Sequence, residues 1–270
     1  MDDPIAEPRY NRASVRRCGL PTEAPSTADA ATFWEPLIMP ERASVEALAG
    51  QQVYSPLTLR LYDLWVLGIS NHWLWRCPTA DLRALYDRNV GARHIDIGVG
   101  TGYFLKHAAW PVEQPKITLL DLNTSSLDAA SRRIADFHPR TIQANALAPL
   151  PEIGTFDSAG LCYLLHCLPG RIADKAVVFD HLKPLLAQGA RVFGATILPV
   201  AADGIAPRAA AQKLMALYNA KGVFSNTEDR LEDLRSALTS RFDDVKIEMK
   251  GNVALFEARA GGTAGSTGSW

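Results

Sequence analysis

The run HIDIGVGTGYF at residues 94–104 constrains the fold more than any other stretch of this chain. Residues 93–97 read as a short strand, glycines stand at 98, 100 and 102, and a helix is expected to open near Thr101 and run through Ala108. Glycine permits the tight turn and a close approach to the backbone, because no Cβ stands in the way. The helix that follows offers free N–H groups at its start. The alternation continues downstream. Residues 116–122 (KITLLDL) read as a buried strand, and Asn123 and Thr124 as the start of the next helix. Residues 141–144 and 156–163 read as strands, 172–186 as a helix and 190–198 as a strand after Gly189. Helices follow near 206–220 and 227–240. The chain closes with strands at 245–249 and 253–259, joined by Lys250, Gly251 and Asn252. Two strands so joined must pair antiparallel. The pattern predicts an α/β sandwich whose mostly parallel sheet ends in an antiparallel hairpin.

The flanks read differently. Residues 1–45 hold six prolines and no sustained period, and are expected to form an irregular arm. Residues 53–69 and 80–88 carry apolar residues at helical spacing. A helical lid is expected over about 50–90, a core over about 91–260, the two together making one domain at 46–260. Residues 261–270 (GGTAGSTGSW) read as a flexible tail. Basic residues number 28 against 29 acidic ones, so no sequence-wide field favours nucleic acid. No run approaches the roughly 18 apolar residues of a membrane span, and the acidic start lacks the apolar stretch of a secretory signal. Four cysteines make no disulfide framework, and a cytoplasmic location is expected.

The glycine spacing narrows the ligand. G-x-G-x-G differs from the dinucleotide fingerprint G-x-G-x-x-G, because Tyr103 stands where the third glycine would be. Asp121, at the end of the next strand, can accept hydrogen bonds from two ribose hydroxyls. Loop and acid together point to a ribonucleoside. A nicotinamide-dependent oxidoreductase is the competing reading, weakened by Tyr103 and by the closing hairpin.

With these residues in view, the chain resembles the class I S-adenosylmethionine (SAM) dependent methyltransferases. The matching segments are DIGVGTG, LLDLN, NAL at 145–147, FDSAGLCYLLHCLPG and GARVFGATIL, within about residues 53–259. NHWLWRCP, LLHCLPG and YNAKGVFSN are similar to segments of a bacterial and fungal small-molecule subgroup linked to secondary metabolism. The resemblance implies a Rossmann-like seven-stranded sheet, its last strand antiparallel and beside the fifth, with an N-terminal helical lid. It implies SAM as cofactor, S-adenosylhomocysteine as product, and a small-molecule acceptor with oxygen as the default atom. Gly98, Gly100 and Gly102 would line the methionine and ribose end. Asp96 would hold the loop or reach the amino-acid part, Asp121 the ribose, and Leu122 the adenine. Asn145, Ala146 and Leu147 would border the adenine, and Tyr62, with Tyr54 behind it, would stand near the sulfonium. A SAM-binding protein without methyl transfer shares all these features. A second copy of the chain is an open option as partner.

Methyl transfer needs alignment above all, which is worth roughly 7–11 kcal/mol in the best cases. A base adds about 10²–10⁴-fold where a hydroxyl must lose its proton. After the fourth strand, Tyr163 and His166 are the candidates, with His72 in the lid as a second polar group. His166 could be a base or could pin its turn through backbone bonds. Trp73 and Trp75 could wall the substrate or pack the lid onto the core, the latter being favoured. Cys162, His166 and Cys167 lack the second pair of a zinc site, so no metal is expected. Asn219 and Asn226 could touch substrate or close a helix end, with Gly222 at a left-handed cap. His94, His107, His138 and His181 carry no visible role.

Overall fold

The computed structural model describes residues 74–200 and 209–261. Helix α1 (Thr79–Asn89) leads into β1 (Arg93–Ile97), then α2 (Tyr103–His107), β2 (Lys116–Asp121), α3 (Thr124–Arg133) and β3 (Arg140–Gln143). The chain continues through β4 (Phe156–Cys162), α4 (Ile172–Lys175), α5 (Val177–Leu182), β5 (Leu186–Ile197), α6 (Ala209–Ala220) and α7 (Leu231–Thr239). It ends in the hairpin of β6 (Asp243–Lys250) and β7 (Val253–Arg259). The sheet has seven strands in the order β3-β2-β1-β4-β5-β7-β6. β1 to β5 run parallel, and β7 lies antiparallel between β5 and β6. This is the Rossmann-like arrangement and the hairpin placement that the sequence leads one to expect.

Residues on successive positions of the central strands enter opposite layers. Ile95, Ile97 and Leu120 face the layer that contains Phe179, Leu182 and Leu238. Leu119, Phe193 and Ile197 face the layer of Leu82, Leu85, Leu105 and Leu127. Helix α1 belongs to this second layer. Leu82, Leu85 and Tyr86 are buried, and Arg88 and Asn89 both bond the Glu257 carboxylate of β7. Residues 79–89 thus act as a layer of the core, although the lid was expected to extend to about 90. Trp75 is 2% exposed and accepts the Asn252 N–H on its carbonyl, which agrees with the packing reading of that tryptophan.

Boundaries moved where tertiary bonds intervene. The segment expected as one helix over 172–186 breaks into α4, α5 and a 3₁₀ turn at Lys183–Leu185 with a proline at its start. β4 stops at Cys162 because Tyr163 adopts a left-handed φ of 60°. Asn123 caps α3, accepting the Ser125 N–H at 2.8 Å, as its position suggests. The helix expected over 53–69, the arm and the tail beyond residue 261 lie outside the described residues.

Candidate functional site

Strand order reverses between β1 and β4, and in open sheets of this kind the crevice at the carboxyl ends beside that reversal receives ligands. A pocket opens there. The turn after β1, the Asp121–Asn123 corner after β2, residues 144–146 after β3 and the loop after β4 all contribute to its wall. Tyr86 from α1, Tyr103 and Phe104 from α2, and Val223 complete it.

The glycine turn works as its composition suggests. Gly98, Gly100 and Gly102 have φ values of 74°, 53° and 70°, a region that L side chains rarely adopt. Gly102 caps α2, and a Cβ there would stand 2.9 Å from Ala130 Cα in α3. A Cβ on Gly100 would meet nothing within 4 Å. The space over Gly100 is pocket, so a ligand can lie directly on the backbone there.

Asp121 accepts the Asn123 N–H at 2.8 Å and is half-buried at the pocket wall. Burial pushes its carboxyl up to about 6 against the lowering effect of backbone N–H groups, with Asp96 adding to the rise. Backbone N–H groups of Val99, Gly100 and Asn123 point at this carboxyl, and a carboxylate has about four lone-pair sites, so it can still accept from a ligand at the wall, as the two vicinal hydroxyls of a ribose would require. Open backbone at Gly100 and the acid of Asp121 at the pocket wall fit a ribonucleoside.

The adenine-side segment departs in detail from expectation. Asn145 and Ala146 line the pocket, but the Asn145 side-chain oxygen accepts the Leu147 N–H at 3.0 Å. That oxygen folds its own turn first, and one lone pair is left for a ligand. Leu147 is partly buried against the core and is not part of the pocket wall. Leu122 is part of it.

After β4, Tyr163 lines the pocket and His166 does not. His166 is 3% exposed, and its ring packs edge-on to Phe224 at 4.6 Å and to Tyr163 at 5.6 Å. Its Nδ1 accepts the Ile197 N–H at 3.3 Å, and its carbonyl accepts the Ser225 N–H at 2.8 Å. Burial, then the nearby Lys175 charge, lowers its pKa to about 3, so the ring stays neutral. Of the two readings of His166, the geometry is that of a pin. Beneath it the fully buried Lys175 bonds Asp229 and the Ser225 carbonyl, each at 2.6 Å, tying the loop that carries Val223 to α4.

Asn219 and Asn226 bond each other in both directions and Asn226 also bonds the Ile197 carbonyl, so they close this loop. Gly222 has φ 68°, as a left-handed cap requires. Cys162 and Cys167 line the pocket as free thiols, and burial pushes Cys167 up to about 12. Among the described residues, no three His, Cys, Asp or Glu side chains gather as metal ligands. Tyr54, Tyr62 and His72 lie outside the described residues.

The sequence reading missed Tyr86. Its hydroxyl donates to Asp96 Oδ2 at 2.9 Å, and its ring stacks on Phe104 at 5.2 Å. The available signal was a tyrosine on the apolar face of the 80–88 helix, where a buried hydroxyl needs a partner.

A family model described as a methyltransferase domain matches residues 95–192. The demethylluteothin O-methyltransferase of Streptomyces thioluteus is 39% identical over 214 residues, covering 79% of this chain and 92% of that protein. The physcion biosynthesis cluster O-methyltransferase of Aspergillus chevalieri is 37% identical over 212 residues, covering 77% and 94%. Among solved structures, a Haemonchus contortus N-methyltransferase with phosphomonomethylethanolamine and S-adenosylhomocysteine superposes with a TM-score of 0.60 at 15% identity. That match covers 80% of this chain and 60% of the other and speaks to the fold.

Proposed function

The chain belongs to the class I SAM-dependent methyltransferases that act on small molecules, and on that premise we propose that it methylates a hydroxyl oxygen of an uncharged aromatic acceptor. The cofactor is S-adenosylmethionine, which when bound supplies a methyl group activated by its positive sulfur. The observation that carries the proposal is the wall itself. Tyr86, Tyr103, Phe104, Tyr163, Leu168 and Val223 line it, and among the described residues its carboxylates are Asp96 and Asp121. Aromatic walls favour flat apolar partners, and among the described residues no lysine or arginine lines the pocket.

In this reading Gly98, Gly100 and Gly102 accommodate the methionine and ribose end, Asp121 accepts the ribose hydroxyls, and Leu122, Asn145 and Ala146 border the adenine. Tyr163 lines the pocket in a left-handed backbone, a conformation that costs energy and is concentrated at functional sites, and in this reading it borders the acceptor. His166 keeps the post-β4 turn in place, its Nδ1 already engaged. The described residues contribute by alignment and by keeping water out, and His72, outside them, is the candidate base for a hydroxyl that must lose its proton. The names of the relatives support oxygen as the acceptor atom. The near balance of charge supports a small-molecule partner over nucleic acid, and a cytoplasmic setting is part of the same reading.

The test offers purified protein S-adenosylmethionine with matched sets of phenols, aliphatic amines and thiols, and follows S-adenosylhomocysteine release and product mass. Turnover is expected with phenols, and Tyr163→Ala should lower it more than it lowers cofactor affinity. Transfer confined to amines or thiols would overturn the oxygen reading.

A further inference from the structure

Beneath the glycine turn lies a set of buried polar side chains whose direction of hydrogen bonding is decided by its ends. His94 and Ser158 are 0% exposed and Asp96 is 2% exposed. Buried polar groups in central strands are retained only when paired. β1 and β4 set His94 beside Ser158 and Asp96 beside Gly160. Ser158 Oγ accepts the Gly91 N–H at 2.7 Å and lies 2.8 Å from His94 Nδ1. His94 Nε2 lies 3.4 Å from Asp96 Oδ2, the same oxygen that accepts the Tyr86 hydroxyl at 2.9 Å.

A neutral imidazole has one N–H, and a carboxylate only accepts. The hydrogen therefore belongs on Nε2, facing Asp96. Nδ1 then accepts, and the Ser158 hydroxyl donates to it. Space is made for this contact: a Cβ on Gly160 would stand 3.0 Å from Asp96 Oδ2 and 3.4 Å from His94 Nε2. Phe193 and Trp110 flank the ring at 5.8 and 5.5 Å and leave it one plane.

We propose that His94 is a positioning residue, its Nε2–H directed at Asp96 and its Nδ1 held by Ser158, that together with Tyr86 commits Asp96 Oδ2 and leaves Oδ1 for the cofactor's amino-acid end. This rests on the reading of the pocket as the SAM site. Asp96 lines that pocket, whereas His94 and Ser158 do not. His94 acts through Asp96.

Two measurements test it. The first is the ¹⁵N spectrum of histidine-labelled protein without ligand. His94 should show a protonated Nε2 and a bare Nδ1, and Ser158→Ala should keep the Nε2 hydrogen while shifting the Nδ1 resonance as its donor is lost. A wild-type ring protonated on Nδ1 overturns the relay. The second is titration with S-adenosylhomocysteine, with melting curves to show that each variant is folded. Ser158→Ala and His94→Leu should weaken binding about tenfold or more, as expected for outer-shell hydrogen bonds to a charged group. His94→Gln, which keeps a donor and an acceptor, should recover most of the loss. A ring that merely fills space would give the reverse order, with Leu above Gln, and would overturn the proposal, as would unchanged binding in Ser158→Ala and His94→Leu. If the wild type fails to bind S-adenosylhomocysteine, the assignment of the pocket fails, and the spectrum still decides the relay.

Discussion

Asp121 carries the clearest conflict between folding and binding at the level of one residue. Its folded pKa of about 6 stands above an ordinary value of 3.8, with burial as the main cause. Stability from the protonated form is full below the unfolded value and is lost as pH rises through about 6. Asp121→Asn removes this titration. It should therefore melt higher than the wild type at pH 7, with the difference vanishing below about pH 4. The same variant should lose affinity for S-adenosylhomocysteine by about tenfold or more, because ribose hydroxyls bond best to an ionised acceptor. Wild-type affinity should rise with pH through about 6, while that of Asp121→Asn stays flat. Melting curves and calorimetric titrations across pH 4–8 check all three outcomes. A role for Asp121 was legible in the sequence from its place at a strand end. Those of Tyr86 and His94 were not, since a hydroxyl or imidazole in an apolar run says nothing of the carboxylate that will face it.

At the level of the element, the turn between β1 and α2 separates two demands on glycine. Gly102 is required by α3, whose Ala130 backbone leaves no room for a Cβ. Gly100 meets no such limit, since among the described residues no atom lies within 4 Å of its absent Cβ, and the proposed cofactor would occupy that space. Each alanine also bears the left-handed cost of roughly 1–2 kcal/mol. Gly100→Ala should lose about that much stability and most of its affinity for S-adenosylhomocysteine. Gly102→Ala should lose clearly more stability, because the start of α2 and helix α3 must also move apart. Melting temperatures in parallel with titrations check this, and equal losses of stability would contradict it. Strand and helix types were legible from their periods. The ends were not: β4 stops at Cys162 because the next residue, Tyr163, turns to a left-handed φ of 60°, while its N–H still bonds the Ala195 carbonyl of β5 at 2.8 Å.

At the level of the whole molecule, the pocket draws its described walls from four strand ends and three helices, so cofactor binding should stabilise the fold as a unit. S-adenosylhomocysteine at about 100 times its dissociation constant adds roughly 2.7 kcal/mol, which for a chain of this size raises the melting temperature by about 5–10 °C. NAD at the same concentration should leave it unchanged. Thermal melting with each ligand checks this, and a shift with NAD alone would contradict the cofactor. The sequence by itself determined the alternation of strands and helices, the closing hairpin, the glycine turn and the acid after β2. These are local features, written in hydrophobic period and in the conformations only glycine accepts. Tertiary structure alone decided that His166 is pinned below the pocket and that α1 is part of the core. It also decided that His94, Ser158, Asp96 and Tyr86 form one network. His94 and Ser158 are 64 positions apart, and nothing local tells a chain which residues a parallel crossover will set side by side.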